Sequence, residues 1–165
     1  MTSKFIRDHL KLTCDDLYIE RLDQIFTQLL DRYVQASLTV MDAMKKKTLD
    51  SYAAQYSIMI LFPGQFGIDC VNIGTRWLVD RFGEEDGDEE NDDKKPILWT
   101  KGVESRIRTL VHDPYRTVKI SKNYFNFVLI VIQHVLTLVT GNVPENSVVT
   151  TFASVPELYQ GIVNL

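Results

Sequence analysis

At 165 residues the chain is long enough to bury roughly two-thirds of the surface its unfolded form exposes, so neither a disulfide framework nor a structural metal is required to hold it. Its two cysteines, Cys14 and Cys70, have no CxxC or Cys/His ligand spacing, which excludes the zinc pattern and reads both as small core residues in a reducing compartment. The net charge of −4 stands against a nucleic-acid binder until its distribution is followed: residues 83–96 hold eight of the 22 acidic residues and two of the 18 basic ones, so the remainder is weakly basic.

The amino terminus, MTSKFIRDHLKL, spreads charges among its apolar residues and lacks the apolar run of a secretory leader, which points to an intracellular protein. A short helix is expected over residues 4–12. Leu22, Ile25, Phe26, Leu29, Leu30, Tyr33, Val34, Leu38, Met41 and Met44 then recur at steps of three and four, the period of one amphipathic helix over residues 15–44. Thr13, Asp15 and Asp16 supply capping oxygens and negative charge at its positive end. At 1.5 Å per residue this helix would be about 43 Å long, unusual for so small a unit. A third helix over 50–61 ends before Pro63-Gly64, and a fourth spans 65–82.

The segment GEEDGDEENDDKKP, residues 83–96, has no apolar residue and reads as a charge-extended linker that divides the chain into units of residues 1–82 and 97–165. Its carboxylates could suggest a calcium loop, but the sixth position of a loop beginning at Asp86, where glycine is required, is Asn91, and no closing glutamate follows at the right offset. Beyond the linker the plan repeats, with a short helix over 103–111, a break at Asp113-Pro114, and a long apolar helix over 121–140 stopped by Gly141-Asn142. Ser154 and Glu157 fit a capping box ahead of a last short helix. No charged residue occurs between Lys122 and Glu145, which raises a membrane span; Asn126, Gln133, His134, Thr137 and Thr140 and the missing basic flank favour a helix buried against another helix. His134, like the isolated His9 and His112, reads as a core or interface residue and not as a metal ligand.

The residues go beyond topology. The segment LFPGQFGIDCVNIGTRWLVDRF, residues 61–82, closely resembles the end of histone H-two-B, with its Leu-x-Pro-Gly turn and a helix carrying Val71 and Gly74-Thr75 in step. The second half is similar to histone H-two-A through Arg106-Ile107-x-x-Leu110, Arg116-Thr117-Val118, Tyr124, Val128-Leu129, Gly141-Asn142 and Thr150, with small gaps on either side of the long helix. That order in one polypeptide resembles the histone doublets of giant DNA viruses of the marseillevirus type.

The resemblance implies an all-α protein in which two histone folds, each a short-long-short helix triplet, form an intramolecular pair. It implies a structural role in packaging double-stranded DNA without sequence specificity, together with a second histone doublet of the H-three/H-four type, in the nucleus or in the viral factory and virion of a DNA virus. In such a pair the second loop of one fold lies beside the first loop of the other. Lys45, Lys46, Lys47 and Thr48 would then meet Arg116, Thr117 and Lys119 in a phosphate-binding site, with Arg106 and Arg108 on the neighbouring helix as further contacts. Solvated helix-end lysines are the plain alternative for the first cluster, and surface ion pairs for the arginines. Asp15 and Asp16, and Val148-Val149-Thr150-Thr151, replace the residues expected at the opposite loop pair, where little DNA contact is foreseen. The absence of basic tails and the end at Leu165 lead to the expectation of a particle more open than usual. No glycine-rich phosphate loop, Gly-x-Ser-x-Gly elbow or convergent His/Cys/carboxylate set is present, so the expectation is a non-enzyme without cofactor, metal, membrane or small-molecule substrate. The alternative function is a histone-fold scaffold in a transcription or histone-chaperone complex with little DNA wrapping.

Overall fold

The structure is a computed structural model that describes residues 16–82 and 95–140. The short helices expected over 4–12 and after Pro156, with Cys14, Asp15 and most of the acidic segment, lie outside the described residues. Within them the fold is all-α. Helix α1 spans Asp16–Ala43, α2 Ser51–Leu61, α3 Gln65–Phe82, α4 Lys101–Val111 and α5 Lys122–Thr140. Two two-residue strands, β1 (Thr48–Leu49) and β2 (Lys119–Ile120), pair in parallel.

Local chemistry explains each boundary. Lys45 adopts φ 54°, the left-handed conformation that closes α1. The Lys46 N–H donates to the Met41 carbonyl at 3.0 Å and the Lys45 N–H to the Asp42 carbonyl at 3.0 Å, the two bonds of a Schellman cap. Met44, expected among the buried residues, stands where the chain has already left the core and is exposed. Asp50 caps α2 by accepting the Ala53 N–H at 3.0 Å. Gly64, at φ 98°, supplies the turn between α2 and α3 that a side-chain-bearing residue would resist. Helix α4 begins at Lys101, two residues before the expected start, because Thr100 serves as its cap and accepts the Val103 N–H at 3.3 Å. Ser121 caps α5 through the Tyr124 N–H at 3.1 Å.

The apolar stripe of α1 supplies Leu22, Phe26, Leu29, Leu30, Tyr33, Val34 and Met41 to a core that also takes Val103 and Ile107 from α4 and Phe127, Val128, Val131 and Leu136 from α5. Residues on both sides of the acidic segment therefore share one core, with α1 packed on α2 and α4, and α5 packed on α3 and α2. Lys95 and Pro96, read from sequence as the end of the linker, already belong to the packed structure: Pro96 is buried, and the Lys95 ammonium lies 5.1 Å from the centre of the Trp99 ring. Trp99 in turn stacks on Phe125 at 4.9 Å, and the Arg108 guanidinium lies 5.4 Å from the centre of the Phe125 ring.

A line of buried hydroxyls sets the register of α1 against α2. Tyr33 donates to the Ala54 carbonyl at 2.8 Å, Ser37 to the Tyr33 carbonyl at 2.7 Å, and Ser57 hydrogen-bonds Ser37 at 2.9 Å. Burial pushes the Tyr33 phenol well above its ordinary pKa, so this line stays neutral. The long apolar helix α5 is covered by its neighbours, and no described helix is long and apolar enough to cross a membrane. His134 is half-buried and stacks on Phe66 of α3 at 6.4 Å; burial lowers its pKa, with Asp69 acting in the other direction. Cys70 is buried, and burial pushes its thiol up to about 12.

Candidate nucleic-acid interface

The parallel pairing of β1 and β2 places Thr48 opposite Lys119 and Leu49 opposite Ile120. The Lys119 N–H donates to the Lys47 carbonyl at 3.2 Å and the Ser121 N–H to the Leu49 carbonyl at 2.9 Å. Two loops about seventy residues apart in sequence thus become one surface. Lys45, Lys46, Lys47 and Thr48 arrive from the end of α1, and Arg116, Thr117 and Lys119 from the segment between α4 and α5. A hollow of about 440 Å³ between them is lined by Met41, Lys46, Lys47, Arg116, Thr117 and Val118.

The cations divide into two groups. Lys45, Lys47 and Lys119 are exposed, and none of their ammonium groups has an ion pair or hydrogen bond to a described residue. The others are engaged. Lys46 pairs with Asp50 at 2.8 Å and lies 5.1 Å from the centre of the Tyr52 ring. Burial works to raise the Asp50 pKa, but hydrogen bonds from Lys46 and the Ala53 N–H outweigh it and hold the carboxyl below its ordinary value. Arg116 is gripped from two sides, by Asp42 through both terminal nitrogens at 2.6 and 3.1 Å and by Asp113 through Nε at 3.2 Å. Its hydrogen bond holds the Asp42 carboxyl below the usual carboxylate range, while Arg116 itself is raised.

Arg106 does not join this surface. It makes a bidentate pair with Asp31 of α1 at 3.0 and 2.5 Å, a clamp between α4 and α1. Arg108 pairs with Glu104 one turn back at 2.8 Å and borders a second hollow shared with His112, Asp113 and Arg116. Glu104 is held below its ordinary pKa by the Trp99 indole N–H and then by Arg108. Thus Arg106 and Arg108 occupy the ion-pair role that sequence allowed as their alternative, and Arg116 combines a place on the surface with a structural pair. The opposite loop at 148–151 lies outside the described residues.

Sequence marked Asp113 only as part of a helix break and did not mark Asp42 at all. Asp42 sits on the exposed side of an amphipathic helix, where a carboxylate is ordinary, and its partner lies 74 residues away. Nor did sequence single out Lys45 as strained. A residue with a Cβ in the left-handed region costs about 1 kcal/mol or more relative to glycine, the usual occupant of this cap position. Lys45→Gly is expected to raise stability by about 0.5–1 kcal/mol, read as a higher urea midpoint at unchanged slope. An equal or lower midpoint would mean that the lysine side chain itself supports the cap.

Among the described residues no group of three or more His, Cys, Asp or Glu side chains could hold a metal ion. A scan against protein-family models and a search of curated proteins both return no match for this chain.

Proposed function

We propose that this chain is a fused pair of histone folds, an H-two-B-like half followed by an H-two-A-like half, that binds double-stranded DNA through its backbone and assembles with a second doublet of the H-three/H-four type into nucleosome-like particles. The observation that carries the reading is the β1–β2 surface, where Lys45, Lys47 and Lys119 lie on adjoining backbone and have no carboxylate partner among the described residues. Unpaired ammonium groups on an exposed ridge suit phosphates and carry no base information, so the binding is insensitive to sequence. The long α1 and α5 helices sharing one core agree with a head-to-tail pair. The role is structural and non-catalytic, and it belongs with the DNA of a nucleus or of a viral factory and virion.

An exposed stripe on α2 supports the partner in this reading. Tyr52, Tyr56 and Ile60 follow one another at four-residue steps along α2 with 57%, 55% and 61% of their surfaces exposed, an apolar stripe suited to another helical unit. The carboxylates around Arg116 reduce the positive field of the DNA surface, which agrees with a particle that opens at modest salt.

The same carboxylates favour a second reading. With Arg106, Arg108 and Arg116 all ion-paired within the chain, the pair could serve as a histone-fold scaffold in a transcription or chaperone complex. One experiment separates the two. Mixed with DNA and an H-three/H-four-type doublet, the chain is expected to yield a discrete nuclease-resistant DNA fragment, and alone to bind DNA with an affinity that falls linearly in log–log form with salt. Stable association with the doublet but no protection and no salt-dependent binding would favour the scaffold.

A further inference from the structure

The turn between α4 and β2 holds one aromatic ring away from everything else. Tyr115 is 95% exposed, and among the described residues it has neither a ring contact nor a hydrogen bond to its hydroxyl. Its backbone, in contrast, is tied on both sides. The Asp113 carboxylate accepts the Tyr115 N–H at 2.8 Å, residues 113 and 116 form an antiparallel bridge, and the Arg116 Nε donates to Asp113 at 3.2 Å. Pro114, immediately before, fixes its own φ and restricts the loop further. Through Arg116 the turn is bolted to Asp42 at the end of α1.

A single exposed tyrosine is ordinary on a protein surface. What distinguishes this one is the combination of a pinned backbone, a free ring and its position. Its neighbour Arg116 lines the hollow shared with Lys46 and Lys47, so the turn that carries Tyr115 borders that surface. DNA drawn onto Lys47 and Lys119 would pass beside this turn, which is joined to β2 through the same short segment. Because the turn is already ordered, little conformational freedom remains to be lost when the ring is enclosed.

We propose that Tyr115 is a stacking wedge for DNA, inserting its ring against a base at a step that is already unpaired or readily kinked. The inference rests on the DNA-binding reading and adds to it a preference for deformed duplex over uniform duplex. Aromatic side chains stack on bases without regard to sequence, and wedges of this kind favour steps whose unstacking cost has already been met.

The test compares a fully paired duplex with the same duplex carrying one unpaired 2-aminopurine. The intact protein is expected to bind the second about tenfold more tightly and to quench its fluorescence. Tyr115→Ala should abolish both the preference and the quenching while leaving the salt dependence of binding to the paired duplex unchanged. Tyr115→Phe should keep the preference, since stacking needs the ring; loss in the Phe variant would assign the residue to a phosphate hydrogen bond and overturn the wedge. A preference that survives in Tyr115→Ala overturns it too. Salt-dependent binding with no preference in the intact protein refutes the wedge and leaves the DNA reading standing, whereas absence of salt-dependent binding to either duplex refutes both.

Discussion

Neutralising Lys45, Lys47 and Lys119 together, each to glutamine, is expected to weaken binding to duplex DNA by about a hundredfold near physiological salt and to lower the slope of log affinity against log salt by up to about three. The three ammonium groups have no carboxylate partner among the described residues, so each is available to displace a counterion from a phosphate. Lys46 is left in place because its charge is engaged by Asp50, and its removal would disturb the cap of α2 as well as the field. The loss should be the same on unrelated DNA sequences, and the melting temperature should hardly change, since exposed lysines contribute little to folding. A slope that stays constant in the triple variant would return these lysines to ordinary helix-end and strand-end charges. A loss confined to one sequence would mean that bases are being read, against the proposal.

A large loss of stability is expected at Gly74, in the middle of α3. A Cβ built there would stand 2.6 to 2.8 Å from three ring atoms of Phe127 on α5, and that ring is fully buried in the shared core. The contact joins a helix from before the acidic segment to one from after it. Overpacking a core site costs about 1–3 kcal/mol, and for alanine the gain in helix propensity over glycine, about 1 kcal/mol, offsets part of that. Valine adds two further methyl groups and restores less propensity. Gly74→Val is therefore expected to cost about 3 kcal/mol, a fall in melting temperature of roughly 10 °C for a domain of this size, with Gly74→Ala about halfway or less. Shortening the opposing ring by Phe127→Leu should recover part of the loss in the double variant, because the cavity left by one change accommodates the other. Additive losses in the double variant would mean that the two residues do not meet as described.

Among the described residues, sequence by itself determined the helical content and most element boundaries. The three- and four-residue recurrence of apolar residues in α1, the Pro63-Gly64 stop and the charge-free run of α5 are local signals, and local signals survive without knowledge of the fold. The span 65–82 coincides with α3, and 15–44 differs from α1 by one residue at each end. Where the expectation erred, as at Thr100 and Met44, the cause was capping and the point at which the chain leaves the core, which depend on neighbours in space. The lysine cluster was visible as three consecutive residues, and its juxtaposition with Arg116, Thr117 and Lys119 came from resemblance to a family and not from periodicity. Only the tertiary structure decided which cations remain available. Pairing of Arg116 with Asp42 and of Arg106 with Asp31 joins residues more than seventy positions apart, and no local pattern encodes which carboxylate a long, flexible guanidinium will reach. The same holds for Gly74 against Phe127: a glycine inside a helical pattern reads as a weak point until packing brings a buried ring into the space a Cβ would need.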